Sequence, residues 1–286
     1  MRRLRFSLVW WLIALASAPV IAQDPAGAVT SIRNAFVDKS NGVSPSATAQ
    51  SASCARPPCS AVVSGVAVVS SAPTGEISKV ASLMPRSGRV EYTVMRGDGG
   101  FVVGRARHEW QLEGNTYAFR STVETIGIAA LFKSIKATQE SRGEITASGF
   151  RPTEFTQERG KGTEKARFDW KRSTVKNGDE EDALVAGTQD VLSVYYQLAW
   201  NAPTRGILEI PIATGRKLDQ YRFEVIGTEA LSTEDGPQQT THVRVKAGSD
   251  IMDMWLAPKI SPLPLRITIL NKKGELYDQR AKRAAP

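Results

Sequence analysis

Short segments in which apolar and polar residues alternate recur from Arg89 almost to the C-terminus, and this repeat constrains the fold most strongly. Val90, Tyr92 and Val94 lie on one side of the first segment, which is the pattern of a half-buried β-strand. Clusters of Gly, Asn, Asp and Ser separate the segments, as turns do in an antiparallel meander. The pattern predicts a mostly β domain over residues 86–283, with about ten to twelve strands curved into a half-barrel or barrel, and a β-sandwich is the alternative.

One segment, residues 188–200, departs from this alternation and predicts a helix. Thr188 stands at the N-cap position, and Asp190 falls in the first turn, where the helix dipole favours an acid. Apolar residues, among them Tyr195 and Tyr196, occupy nearly every side of the segment. Because such a helix is buried on several sides, we expect it to lie across the open face of the curved sheet.

The N-terminus has the features of a secretory signal peptide. Arg2, Arg3 and Arg5 give a basic start. The apolar run that follows has about 13 residues, whereas a bilayer-spanning helix needs roughly 20. Cleavage is expected after Ala22, so residues 1–22 would be removed and the mature protein would be periplasmic. The alternative is an uncleaved membrane anchor.

Residues 23–85 are rich in Ala, Ser, Val, Thr, Pro and Gly and carry little charge. A segment that buries so little apolar surface does not offset the entropy of ordering, so we predict a flexible low-complexity linker. A short strand at 62–69 is the alternative. Cys54 and Cys59 close a small loop within this segment, and a disulfide between them is expected in an exported protein.

Composition and charge narrow the range of partners. A hydrophobic fraction of 41% with 23% charged residues is ordinary for a globular domain. The formal net charge of +8 is spread among acidic residues, so we expect no nucleic-acid partner. Attraction to the anionic head groups of a membrane surface stays open.

The sequence contains no recognisable motif for catalysis or metal binding. The two histidines, His108 and His242, lie on predicted strands without the spacing of a zinc site. Asp169 and Asp190 are the remaining pair for acid–base chemistry, and the acidic run 179–182 is better explained as a solvated loop. We therefore predict that the protein is not an enzyme and needs no cofactor.

Several groups of residues, taken in order along the chain, resemble a known bacterial family. The groups are RFDW at 167–170, GTQDVLS at 187–193, GRK at 215–217 with YRF at 221–223, and MWLAP at 254–258 with LPLRI at 263–267. The family is domain of unknown function 3108, and the likeness covers roughly residues 86–282. It implies a cell-envelope protein and assigns no activity.

A weaker likeness concerns architecture alone. Trp255 on one strand, the Leu-Pro-x-Arg motif ending at Arg266 and a turn at Gly274 resemble the sheet of periplasmic lipoprotein carriers and their outer-membrane receptors. That resemblance implies a curved half-barrel over an apolar cavity closed by helices. Likeness at the level of fold leaves function undecided, and this chain departs by having no lipobox and fewer predicted helices.

These features favour a non-enzymatic periplasmic carrier or binding protein for a lipid or other hydrophobic ligand. The candidate cavity residues are aromatic: Phe119, Phe132, Phe155, Phe168, Trp170, Tyr195, Tyr196 and Trp255. Three arginines are candidates for anchoring an anionic head group: Arg216, Arg222 and Arg266. The alternative is an envelope assembly or scaffold protein that acts through protein–protein contacts, such as strand addition at a sheet edge. A hydrolase ranks third.

Overall fold

The fold is taken from a computed structural model that describes residues 84–97, 100–132 and 134–282, without the side chain of Phe132. These residues all belong to one compact unit. The predicted signal peptide, nearly all of the predicted linker, and Cys54 and Cys59 lie outside the described residues.

The first half of the domain contains eight strands and a short helix. Their bounds are β1 Ser87–Arg96, β2 Phe101–Glu113, β3 Thr116–Thr125, α1 Ile128–Phe132, β4 Lys136–Thr146, β5 Gly149–Arg159, β6 Gly162–Asp169, β7 Thr174–Asn177 and β8 Glu180–Ala183. The second half contains a longer helix and seven strands. Their bounds are β9 Gln189–Asp190, α2 Ser193–Asn201, β10 Ile207–Ala213, β11 Leu218–Thr233, β12 Gly236–Ala247, β13 Asp250–Leu256, β14 Arg266–Leu270 and β15 Leu276–Ala281.

All of these strands belong to one sheet with a simple order. The order is β8-β7-β6-β5-β4-β3-β2-β1-β15-β14-β13-β12-β11-β10-β9. The first and last strands of the domain therefore pair in the middle of the sheet, with Tyr92 opposite Ala281. Sequential strands are antiparallel neighbours on both sides of this centre, and β9 pairs with β10 in parallel. The prediction of a mostly β antiparallel meander is confirmed.

The sheet has 15 strands, more than the ten to twelve predicted. Strands β7, β8 and β9 have four, four and two residues, too few to show a clear period. Strand β10 ends in consecutive buried residues, so alternation is weak there as well. The acidic run predicted to be a solvated loop largely becomes β8, the edge strand.

Side-chain bonds join the two ends of the curved sheet. Gln189 of β9 donates from Nε2 to the carbonyl oxygen of Phe150 on β5 at 2.8 Å. The amide of Gly215, in the β10–β11 turn, donates to Oδ1 of Asn177 at the end of β7 at 3.1 Å. These bonds connect β9 and the β10–β11 turn, near one end of the strand order, to β5 and β7, near the other, so the curvature of the sheet brings its two ends together.

Helix α2 packs against the inner face of the sheet, the face that carries Met252. The hydroxyl of Tyr195 lies 3.8 Å from the Met252 sulfur, and residues 193–199 of the helix are all buried. The predicted helix of residues 188–200 is thus present over a shorter range, from Ser193 to Asn201.

The predicted N-cap of this helix lies elsewhere in the structure. Thr188 donates its hydroxyl to the carbonyl of Val185 instead. Asp190, on β9, accepts hydrogen bonds at 2.8 Å from the amides of Leu192 and Ser193, so its carboxylate serves the first turn of the helix. The sequence correctly indicated that Asp190 acts at the start of the helix. It placed Asp190 inside the first turn, whereas the residue precedes the helix.

Candidate functional site

Neighbouring strands place Trp255 in a row of polar side chains on the outer face of the sheet, opposite α2. Successive residues of a strand point to opposite faces, so Trp255 faces away from Met252 and Met254. Across the strands, His242 lies opposite Trp255, which lies opposite Arg266. Arg266 in turn lies opposite Arg280, so residues of four strands meet side by side.

Contacts on three sides fix the indole of Trp255. The His242 ring stacks on it with centroids 4.6 Å apart, and the Arg266 guanidinium lies 4.8 Å from the indole centroid. The indole Nε1 donates to Glu229 at 2.5 Å. Aromatic stacking and a cation over the ring each stabilise this arrangement modestly, so several contacts together hold the indole of Trp255 in place.

Two carboxylates hold the arginines in place. Asp278 accepts two hydrogen bonds of 2.9 Å from Arg266 and a third of 2.9 Å from Arg280. Asp253 accepts from Arg244 at 2.7 Å and lies 2.8 Å from His242. Bidentate arginine–carboxylate pairs fix the guanidinium plane. The arginine side chains therefore lose their conformational entropy when the protein folds.

A groove of about 720 Å³ lies over this row, and we call it the Trp255 groove. One wall is residues 229–234 of the hairpin formed by β11 and β12. Beyond Val225 a bulge shifts the register of this hairpin, and residues 226–240 pair only within it. Bulges bend the strand that carries them, which accounts for the hairpin passing over the outer face.

The groove combines apolar surface with positive charge. Leu231, Leu265 and Trp255 supply the apolar part, whereas Arg280 and Lys282 bring cationic groups to the side formed by β15. Pockets for small organic ligands have volumes of about 300–1,000 Å³ and a few polar groups that orient the ligand. The arrangement therefore suits an elongated molecule with an apolar body and an anionic end.

The sequence of the domain that carries this groove matches a known family. Residues 89–277 match the family described as "Protein of unknown function (DUF3108)". The chain belongs to the DUF3108 family. Among solved structures, the DUF3108 domain is similar to a chain described as "Crystal Structure of Beta-barrel-like Protein of Domain of Unknown Function DUF1849 from Brucella abortus". That similarity has 12% identity, covers 69% of this chain and 96% of the other, and has a TM-score of 0.45. No curated protein matches the chain.

Most of the aromatic residues predicted to line a cavity lie in the core of the DUF3108 domain. Phe119 stacks on Tyr196 with centroids 3.7 Å apart, and Phe155 is completely buried. Tyr195 is buried beneath the sheet residue Met252. In this part of the domain, aromatic side chains pack against α2 and against one another across the inner face.

The other predicted aromatic residues are dispersed. Phe168 and Trp170 stack with centroids 6.4 Å apart near the β6–β7 turn, where the Trp170 indole donates to the Pro152 carbonyl. The side chain of Phe132 lies outside the described part of the chain. Trp255 is the predicted aromatic residue that lines the groove.

The three predicted arginine anchors occupy separate places. Arg266 lines the Trp255 groove, whereas Arg222 is exposed on β11. Arg216 lies in the β10–β11 turn, where it forms an ion pair with Glu164 beside a second cleft of about 650 Å³. Burial raises the pKa of Glu164, against the opposing effect of Arg216.

Two buried pairs of polar side chains lie near α2. His108 Nε2 lies 3.3 Å from the Ser121 hydroxyl, and Ser141 donates to Asp190 at 2.6 Å. Desolvation lowers the pKa of His108 to about 4 and raises the pKa of Asp190 to about 6. All four residues are at most 2% exposed, so a substrate would have to displace the core to reach them.

Among residues 84–97, 100–132 and 134–282 no group of three or more His, Cys, Asp or Glu side chains is placed to hold a metal ion. Within the same ranges, none of the helices has the length and hydropathy needed to cross a bilayer.

Reasoning from sequence missed several residues of the groove, including Glu229, Leu231 and Arg280. Glu229 and Leu231 lie beyond Ile226, where the regular alternation of apolar and polar residues along β11 ends. The turn at Asp235 and Gly236 was a usable signal, since a tight turn there implies that the hairpin continues up to it. The neighbours of Arg280 follow from the pairing of β14 with β15, which places Arg266 opposite it.

Proposed function

We propose that the domain is a non-enzymatic binding protein, acting in the periplasm, that holds a lipid or lipid-like amphiphile in the Trp255 groove. The observation that carries the proposal is the preorganised pair of Trp255 and Arg266, 4.8 Å apart, at the floor of the groove. The predicted signal peptide supports the location.

The groove matches such a ligand in shape and charge. Its apolar surface, formed by Leu231, Leu265 and Trp255, would receive an acyl chain or fused ring. Arg280 and Lys282 would meet the anionic group, because both are exposed at the side of the groove. The inner face, where a carrier would hold its cargo, is occupied by α2 and the aromatic core, so the outer groove is the better site.

The free edge of the sheet gives little support to the alternative of a scaffold protein that acts by strand addition. Edge strand β8 has four residues, and three of them are acidic. Short, charged edges are a common way for proteins to prevent strand addition. A partner protein would therefore need another surface.

Binding of the fluorescent fatty acid cis-parinaric acid to the purified mature chain tests the proposal. Leu231→Trp, which enlarges a side chain that lines the groove, is expected to abolish saturable binding. Arg280→Gln is expected to weaken binding about tenfold, the size of one charge-assisted hydrogen bond. Native mass spectrometry of chain purified from its own envelope should show a bound lipid.

Matched variants outside the groove are the controls. Thr228→Trp adds the same side chain to the same strand, and Arg222→Gln removes an exposed arginine from β11. Both should bind as the parent chain does. Equal binding by the Leu231→Trp and Thr228→Trp variants, or no binding by the parent chain, would overturn the proposal.

A further inference from the structure

Four large apolar side chains are exposed together at one end of the sheet, and we call them the apolar tip. Phe101 is 81% exposed, Val102 50%, Ile128 75% and Leu131 84%. Phe101 and Val102 begin β2, whereas Ile128 and Leu131 belong to α1. Exposed apolar residues scattered singly are normal, but a contiguous group marks a surface that something covers.

Local structure brings the two parts of the tip together. The amide of Ile126, just before α1, donates to the carbonyl of Val103 on β2 at 3.1 Å. Ile128 and Leu131 are three residues apart in a helical turn, a spacing that places both on the same side. The tip is therefore built from adjoining chain segments that project from the end of the sheet.

The meander brings lysines to the same end. Because neighbouring strands are antiparallel, the β5–β6, β12–β13 and β14–β15 turns lie at the end where β1 meets β2. Lys161 is exposed on one side of the tip, and Lys272 and Lys273 are exposed on the other, next to β1. Lys246 is exposed near the β12–β13 turn. Among the described residues, the exposed acids of this end include Glu158, next to the β5–β6 turn, and Asp179 and Glu180, at the distant β7–β8 turn.

We propose that this end of the domain docks on an anionic lipid bilayer, with the apolar tip in the interfacial region and the flanking lysines against the lipid phosphates. Apolar side chains combined with nearby cations are the pattern of proteins that bind at the bilayer surface. Lysine is depleted in protein–protein interfaces, so its presence on both sides of the tip favours lipid over a protein partner.

Flotation of the purified mature chain with vesicles tests this proposal. The vesicles contain three parts phosphatidylethanolamine to one part phosphatidylglycerol, and a second set replaces the anionic lipid with phosphatidylcholine. The parent chain should float with the anionic set and bind at least about tenfold more weakly to the neutral set. Raising the salt concentration should weaken binding to the anionic set, because salt screens exposed charges.

Two double variants separate the contribution of the apolar tip from that of the flanking lysines. Phe101→Ser with Leu131→Ser, and Lys272→Glu with Lys273→Glu, should each lower the vesicle-bound fraction at least about tenfold. The controls lie at the opposite end of the sheet, where Ile260 is 56% exposed and Lys259 is also exposed. Ile260→Ser and Lys259→Glu should float as the parent chain does. All these positions are exposed, so circular dichroism should show an intact fold.

Three outcomes would overturn the proposal. They are failure of the parent chain to float, equal loss in the Ile260→Ser control, and a dimer in vesicle-free sedimentation that Leu131→Ser dissociates. The last outcome would mean that a second copy of the chain covers the tip. The Leu231→Trp variant should still float, so failure at the bilayer is distinguishable from failure of ligand binding in the groove.

Discussion

At the scale of single residues, two buried ionisable groups near α2 have pKa values displaced in opposite directions. Asp190, completely buried, has its pKa raised from 3.8 to about 6 by desolvation, against hydrogen bonds from Ser141, Ser193 and Leu192. His108 has its pKa lowered from 6.5 to about 4 by desolvation. Each shift corresponds to about 3 kcal/mol of stability that depends on pH.

The signs of the two contributions are opposite. Between pH 3.8 and about 6 the folded chain keeps a proton on Asp190 that the unfolded chain has lost, so this residue makes stability fall as pH rises. Between pH 4 and 6.5 the unfolded chain protonates His108 and the folded chain does not, so this residue makes stability rise with pH. The two contributions largely cancel in the parent chain.

Single variants should show the pH dependence that each residue contributes to the free energy of unfolding. For Asp190→Asn, the free energy of unfolding is expected to fall as pH drops from 6.5 to about 4, because the His108 contribution stands alone. For His108→Phe, the free energy of unfolding is expected to rise relative to that of Asp190→Asn as pH drops from about 6 to about 4, because the Asp190 contribution then stands alone. Urea unfolding at several pH values measures both curves. Parallel curves for the two variants would show that these pKa shifts are absent.

At the scale of elements, one side chain of α2 locks the helix to the β4–β5 turn. Gln197 accepts a hydrogen bond from the amide of Phe150 at 2.8 Å and donates to the carbonyl of Ser148 at 3.0 Å. Gly149, between them, has a φ of 107°, and a Cβ there would meet Gln197 Oε1 at 2.3 Å. The turn needs glycine for its backbone conformation and for the space occupied by Gln197.

Gly149→Ala should therefore be among the most destabilising single changes in the domain. We expect a loss of about 3 kcal/mol or more, from backbone strain together with displacement of Gln197 and its hydrogen bonds. Gly236→Ala is the matched control, because Gly236 has a φ of 94° and nothing within 4 Å of the added Cβ. It should lose only about 1–2 kcal/mol. Equal losses in chemical denaturation would indicate that the contact with the helix contributes little.

At the scale of the whole molecule, the domain is closed by pairing between its first and last strands. Strand β15 lies between β1 and β14, with Gln279 opposite both Val94 and Ile267. Tyr277, on the same strand, is buried in the core. The centre of the sheet is thus assembled from residues far apart in sequence, a topology that folds slowly.

Removal of residues 276–286 is expected to abolish folding of the entire domain. The truncation leaves the facing edges of β1 and β14 unpaired and opens the core at Tyr277. Far-UV circular dichroism and limited proteolysis measure the loss. A chain ending at Lys282 keeps β15 and should remain folded. A cooperative thermal transition in the shorter chain would contradict the proposed closure.

The amino-acid sequence alone predicts the class of fold and most of the strands. Alternation such as that of Val90, Tyr92 and Val94 predicts a strand and the side that it buries, because side chains of a strand alternate between faces. Trp255 and Arg266 were also selected from the sequence as candidate ligand residues. The helix was predicted because apolar residues surround Tyr195 on nearly every side.

The neighbours of each residue are known from the folded structure alone. Trp255 and Arg266 lie side by side, and Leu231 faces them across a groove. Phe119 and Tyr196 stack on each other and help to fill the inner face. Alternation specifies the face of each residue, whereas the register between strands specifies its neighbours. Register depends on turns, bulges and packing along the whole sheet. For that reason a correct pattern of strands left open whether the predicted aromatic residues enclose a ligand or one another.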